Sequence, residues 1–304
     1  MQKEPLLSFA TKKGAASISV VSNSTLVVTK LGVGIFTGSV SVISEAAHSA
    51  VDLLAAMIAY YAVSTSDKKP DRNHAYGHGK IENISGAVEA VLIIVAAVWI
   101  IYEAVKKISA HEVPKDLEYG IAIMIISIIA NYFVSRKLFK VAEATQSHAL
   151  EADALHLEAD IWTSIGVLVG LVAIKVTGLY WLDPVIAIVV AGIIFKVGYD
   201  MTRKSMRELN DLSLPDSEQA MLQAVFENHP MVKDYHGLRT RRSGSTRLVD
   251  VHILLESNLS LAQAHTVCDE IEARIKNLFT PCEVMIHQEP FVAMGTDKAA
   301  IKAE

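Results

Sequence analysis

Only two cysteines occur among 304 residues, Cys268 and Cys282, and they form no CxxC pair. They fall in the polar C-terminal part and read as reduced core thiols. No HExxH motif is present, which removes the usual helical signature of a zinc protease. Positive charge is not in excess. A formal net charge of −5 leaves no basic patch, so nucleic acid is not an expected partner. Low-complexity tracts are absent. The opening stretch, MQKEPLLSFATKKGAAS, has no apolar core ending in a small-residue cleavage site. What is abundant is apolar: 51% of residues are hydrophobic and the mean hydropathy is +0.33. That is too apolar for an ordinary soluble domain of this length. It points to a polytopic membrane protein with a soluble portion.

Six long apolar segments can be read, at about 15–37, 40–64, 82–106, 117–137, 156–177 and 182–200. Each approaches the ~20 residues a helix needs to cross the hydrocarbon core. The third, AVEAVLIIVAAVWIIYEAV, is the plainest, and the sixth opens at Asp183-Pro184, a helix-start signal. Trp99, Tyr102, Tyr119, Tyr180 and Trp181 lie near segment ends, as an aromatic belt would require. Lysines and arginines gather in the N-terminal arm (Lys3, Lys12, Lys13), in the 2–3 and 4–5 connections, and after segment six. The opposite loops hold little beyond Lys106, Lys107 and Lys115. The positive-inside rule then puts both termini in the cytoplasm. Lys30 sits deep in the first segment, where a structural role and a transport role fit equally well.

From about residue 208 the pattern becomes soluble α+β. ProAspSerGluGlnAla (215–220) opens an amphipathic helix, and a strand follows at Val232–Arg241 with a turn at Ser243-Gly244. The next strand alternates, with Val249, Val251, Ile253 and Leu255 on one face and Asp250 and His252 on the other. Ser260 to Gln263 is a capping box before a helix expected to bury Leu261, Ala264, Cys268, Ile271 and Ile275. A last strand is CEVMIHQEP. The order αββαβ predicts a small open sheet covered on one face by two helices. Residues beyond Pro290 read as a mobile tail.

Two polar pairs interrupt the apolar segments. His48 and Asp52 lie in segment two, His156 and Asp160 in segment five. In each, an Asp follows a His by four residues, so the two side chains share one helix face. Ionisable groups inside a membrane helix are costly and normally mark an ion path. Two imidazole nitrogens and two carboxylates make a four-donor set suited to tetrahedral zinc. One such pair alone could be a His–Asp hydrogen bond within a bundle; two of identical spacing favour the ion. Thiolate selectivity is excluded, and hard Mg²⁺ or Ca²⁺ are disfavoured, while Fe²⁺, Cd²⁺, Co²⁺ and Mn²⁺ stay within reach.

Two further groups are less specific. Asp71, His74 and His78 fall in DRNHAYGHGKIEN, with Gly77 and Gly79 freeing the backbone. A three-ligand metal loop and a solvated charged loop are equally compatible with that spacing. In the soluble part, His236, His252, His265, His287 and Glu289 are spread over separate elements. Spacing says only that His287 and Glu289 share one strand face. By pattern alone a scatter of surface histidines is the slightly better account.

Taken together, HSAVD, DRNHAYGHGK, HLEAD and the terminal IHQEP resemble the cation diffusion facilitator family, in its YiiP-like bacterial branch, over nearly the whole chain. The resemblance implies a membrane α-helical fold: a six-helix transmembrane transport domain (1–207), a cytoplasmic metallochaperone-like α+β domain (208–292) for metal binding and dimerisation, and a tail (293–304). It implies a homodimer in a bacterial or archaeal inner membrane that exchanges cytoplasmic divalent metal, zinc first, for protons. Zn²⁺ would be both substrate and regulator. His48, Asp52, His156 and Asp160 would form the transport site, and Asp71, His74 and His78 a loop site. His236, His252, His265 and His287 would form a cytoplasmic site with Glu289, which stands where such members often have Asp. His48 also departs from YiiP-like members, which often have Asp there; zinc-preferring members often have His. A metalloenzyme is a poor rival, since HAYGH is the only HxxxH and HSAVD is one residue short of HxxxxD. A non-transporting sensor would not need the intramembrane ligands.

Overall fold

In the computed structural model, residues 11–37, 40–110, 117–177 and 181–292 are described. Lys3, Lys115, Tyr180 and the tail 293–304 lie outside them, as do the side chains of Lys107 and Tyr119. The chain forms two compact units, Met1–Leu209 and Asn210–Glu304.

The first unit holds six long helices: α1 (Lys12–Thr37), α2 (Val40–Ser66), α3 (Lys80–Ala110), α4 (Leu117–Thr145), α5 (His148–Thr177) and α6 (Leu182–Leu209). Among the described residues, four stretches are long and apolar enough to cross a membrane: Lys12–Phe36, Ala46–Ser66, Lys80–Lys106 and Pro184–Leu209. On α3 the exposed stripe is Val91, Val95, Val98, Trp99 and Tyr102, while Ala90, Ile93 and Ala97 are buried. An apolar stripe on the outside of a bundle suits lipid, not water.

Helices α3 and α6, α1 and α2, and α4 and α5 pack side by side. Small residues permit the close approach. A Cβ on Gly198 would come within 2.8 Å of Ile94 Cγ1 and 3.3 Å of the Ala90 carbonyl. Helix α5 starts two turns before the apolar run that marks it in the sequence. Its polar first turns are helical and packed, with Ala149, Leu150 and Ala154 fully buried. Apolar run length alone is blind to them.

One buried carboxylate ties this end of the bundle together. Glu82, at the start of α3, accepts from Lys12 Nζ (3.0 Å), Ser66 Oγ (2.7 Å) and Ser147 Oγ (2.6 Å). Four segments are thereby pinned: α1, the end of α2, α3 and the entry to α5. A buried charge is tolerated when it is satisfied in this way. The clamp fixes the relative heights of α2 and α5, which carry the two His–Asp pairs.

The second unit contains α7 (Asp216–Glu227), β1 (Val232–Ser243), β2 (Thr246–Glu256), α8 (Leu261–Leu278) and β3 (Cys282–Phe291). The sheet order is β1-β2-β3, with β1 antiparallel to β2 and β2 parallel to β3. The β2 alternation holds. Val249, Val251, Ile253 and Leu255 are buried with Leu222 and Phe226 of α7 and Val267, Ile271 and Ile275 of α8. The capping box at Ser260 and Gln263 is formed in both directions. Leu261 is a correction: it is exposed, because the first helical position after the cap points away from the sheet, and Val267 fills the core instead.

Candidate metal sites

Helices α2 and α5 bring the two His–Asp pairs face to face. His156 Nε2 lies 3.4 Å from Asp52 Oδ1 and 4.0 Å from Asp160 Oδ2. His48 Nε2 lies 3.8 Å from Asp160 Oδ1 and 4.0 Å from Asp52 Oδ1. Each Asp therefore faces both histidines, one on its own helix and one across. His48, Asp52 and Asp160 each offer one ligand atom within 4.8 Å of the others. Asp52 and His156 are buried, whereas His48 is half exposed. The group therefore has one open side. Asp160 Oδ2 and His156 Nδ1 are buried without a hydrogen-bond partner among the described residues. A carboxylate oxygen left bare inside a bundle is short of a cation, which an ion among the four donors would supply. The donor set suits a borderline divalent metal in tetrahedral geometry.

Beside this group, Lys30 is buried and its Nζ donates to Ser49 Oγ at 2.8 Å. Ser49 follows His48 directly, so the lysine clasps α1 to the helix that carries the site.

The connection after α2 folds around Asp71. Its Oδ1 accepts from the backbone N–H of Asn73 and of His74, both at 2.8 Å. These bonds hold the Asp71 carboxyl below the usual carboxylate range. His74 Nδ1 lies 3.3 Å from Oδ1 and His78 Nε2 3.4 Å from Oδ2, so the two oxygens address different rings. Gly77 sits at φ +75°, a left-handed value that an L side chain resists, and it turns the chain so that His78 comes back to Asp71.

In the second unit, strand register does what sequence spacing cannot. His236 of β1 is opposite His252 of β2, and His252 is opposite His287 of β3. The three rings form a row across the sheet, with centroids 4.9 and 4.8 Å apart. Glu289, two residues beyond His287, turns into the row. Its Oε2 lies 3.1 Å from His236 Nε2 and its Oε1 2.8 Å from His252 Nδ1. His287 Nε2 is 3.6 Å from the same Oε1. The two nearer imidazoles keep the Glu289 carboxyl below its ordinary value. His236, His252 and Glu289 place their ligand atoms within 4.8 Å of one another. A β-bulge at Gly237 (φ +61°) lets His236 meet the row. The row lies on the face opposite the helices, so four of the scattered residues are clustered. The fifth is not. His265 projects from α8, 73% exposed, with Asp269 as its near neighbour at 3.8 Å. It borders the groove between α8 and edge strand β3, which His287 also borders.

Sequence reasoning missed two ionisable residues close to the membrane site. Glu89 of α3 and Asp153 of α5 are both buried. Asp153 precedes His156 by three residues on the same face, a signal that was available.

Comparison with known proteins gives a consistent result. Residues 16–210 match the cation efflux transmembrane domain, and residues 214–291 match the cation efflux protein cytoplasmic domain. An uncharacterized transporter of Synechocystis sp. is 35% identical over 262 residues, covering 86% of this chain and 84% of the relative. The cation-efflux pump FieF of Shewanella oneidensis is 29% identical over 278 residues, covering 91% and 94%. Among solved structures, the metal-bound C-terminal domain of the CzcD transporter from Thermotoga maritima is 28% identical. It covers 25% of this chain and 94% of that one, with a TM-score of 0.24.

Proposed function

The chain belongs to the cation efflux family of membrane transporters, and on that premise we propose that it exports divalent metal, zinc first, in exchange for protons. The observation that carries this reading is the crossed arrangement of His48, Asp52, His156 and Asp160, with each carboxylate facing both imidazoles. Two carboxylates balance a divalent charge within the membrane, and two neutral nitrogens favour zinc over harder ions. All six helices of the first unit span the membrane in this reading, and both termini are cytoplasmic, following the lysine and arginine bias.

Zinc needs neutral imidazoles and ionised carboxylates, so its binding expels protons and its release lets them return. Imidazole titrates near pH ~6.5, where that exchange takes little driving force. In the outward-facing state, protons displace zinc; in the inward-facing state, the higher cytoplasmic pH removes them again. Asp71, His74 and His78 act as a loop site near the entrance. His236, His252, His287 and Glu289 act as a cytoplasmic metal sensor in a homodimer, while His265, on α8, stands apart from that row. Metal held there favours the state that binds metal better.

The test is metal flux into vesicles reconstituted with the full chain, over a panel of zinc, cadmium, cobalt, iron and manganese. Zinc flux that saturates and is lost on removing Asp52 or Asp160 supports the reading. A protein that binds zinc in its cytoplasmic unit but moves none is a sensor, and the reading fails.

A further inference from the structure

The metal reading leaves two intramembrane carboxyls without a task. Glu89 is 0% exposed and Asp153 1% exposed, on α3 and α5. Glu89 Oε1 accepts from Ser85 Oγ at 3.0 Å. Glu89 Oε2 and both Asp153 oxygens find no hydrogen-bond partner among the described residues. Ser19 of α1 faces Asp153 without reaching hydrogen-bond geometry, and Asn23, one turn along α1, is also buried with its Nδ2 unpaired. The charged groups that face the two carboxyls are each other, His156 and Asp160. No lysine or arginine pairs with either among the described residues.

Two ionised carboxylates on the packed helices α3 and α5, in a membrane interior and with no fixed cation, are far costlier than this setting can offset. Neighbouring buried carboxyls meet that problem by sharing a proton. A divalent ion is a poorer solution here, because all-oxygen sites for hard ions want six or more donors. Asp153 lies about 4.5 Å of helix rise from His156, on the α5 face that leads to the metal ligands. A doubly charged ion arriving one turn away cancels the charges of Asp52 and Asp160, and so lowers the cost of a negative charge on the pair.

We propose that Glu89 and Asp153 form a proton-holding station, separate from the metal ligands, that releases its proton when metal binds. The carboxylic O–H bond breaks and the proton passes to water on the side from which the metal entered; the ion, by neutralising Asp52 and Asp160, removes the repulsion that opposed the carboxylate left behind. Metal departure reverses the step. This rests on the exchange reading of the transport site.

The experiment counts protons released per zinc bound by the full-length protein, using calorimetry in buffers of different ionisation enthalpy. The variants are Glu89→Gln, Asp153→Asn and the pair combined. The expected result is that the combined variant still binds zinc at the membrane site but releases one proton fewer than wild type. In infrared difference spectra, zinc should remove a protonated-carboxyl carbonyl band from wild type that the combined variant lacks from the start. Equal proton release in wild type and variant overturns the inference. So does a variant that binds one zinc fewer, which makes the pair a metal station. If the combined variant does not fold, the single variants carry the count, and wild-type spectra with no such band refute the station unaided. Failure of the exchange reading looks different: wild type itself would then release no proton on binding metal.

Discussion

Asp52→Asn is the most informative single perturbation of the membrane site. The change is isosteric and keeps one oxygen, so packing around a buried side chain is preserved while one negative charge is lost. Asp52 Oδ1 stands 3.4 Å from His156 Nε2 and 4.0 Å from His48 Nε2, between both nitrogen donors. With zinc among them, wild type is neutral and the variant keeps a net positive charge in a buried setting. Removing one partner of a buried ionic group costs about 3–5 kcal/mol. At 1.4 kcal/mol per factor of ten, zinc affinity should fall roughly a hundredfold to several thousandfold. That exceeds what loss of half-exposed His48 should cost, since water can take over the fourth position there. The assay is calorimetric titration of purified protein carrying a disabled cytoplasmic cluster, paired with zinc flux in vesicles. A variant whose zinc affinity stays within about threefold of wild type, well under 1 kcal/mol, would refute the assignment of Asp52 as a ligand.

His48→Asp should weaken discrimination against Mn²⁺ and Fe²⁺ relative to zinc, because a harder oxygen replaces a nitrogen; unchanged competition would locate selectivity elsewhere. The fragment 208–304 should be stabilised by zinc. At a free concentration a hundred times Kd the gain is about 2.7 kcal/mol, or roughly 10–20 °C in melting temperature for a domain of this size. Ala at His252 and His287 should abolish that gain and leave slow basal transport in the full chain. In the same unit, Glu218 accepts from Arg242 (2.7 Å) and Arg247 (2.8 Å), which hold its carboxyl below the ordinary value. A depressed folded value means stability that is present above the unfolded value of ~4.3 and lost as pH falls through the folded one. Glu218→Gln should therefore unfold more readily than wild type at neutral pH and approach it in acid; a constant difference across pH would contradict this.

What the sequence revealed depended on the range of the interaction. The His48–Asp52 and His156–Asp160 pairs were legible because one turn of one helix makes each, and the pairing of α2 with α5 follows from chemistry alone. The Asp71 loop was half legible: its ligands are local, but the turn that brings His78 back depends on Gly77. The His236–His252–His287 row was not legible. It needs the register of three strands and a bulge at Gly237, and neither is written in the spacing of the histidines. Glu89 and Asp153 were overlooked for another reason. Glu89 is a lone acid in an apolar span, and Asp153 is one of several acids in the polar first turns of α5, so neither stands out until α3 and α5 pack and bury both.

The central claim is exchange, and simultaneous measurement of zinc and proton fluxes in sealed vesicles tests it most directly. With zinc outside and an acidic lumen, the account predicts zinc entry coupled to lumenal alkalinisation. Zinc should accumulate above its external concentration, and Asp160→Asn should lose both signals together. Zinc entry that proceeds at the same rate without a pH gradient, and with no change in lumenal pH, would contradict it.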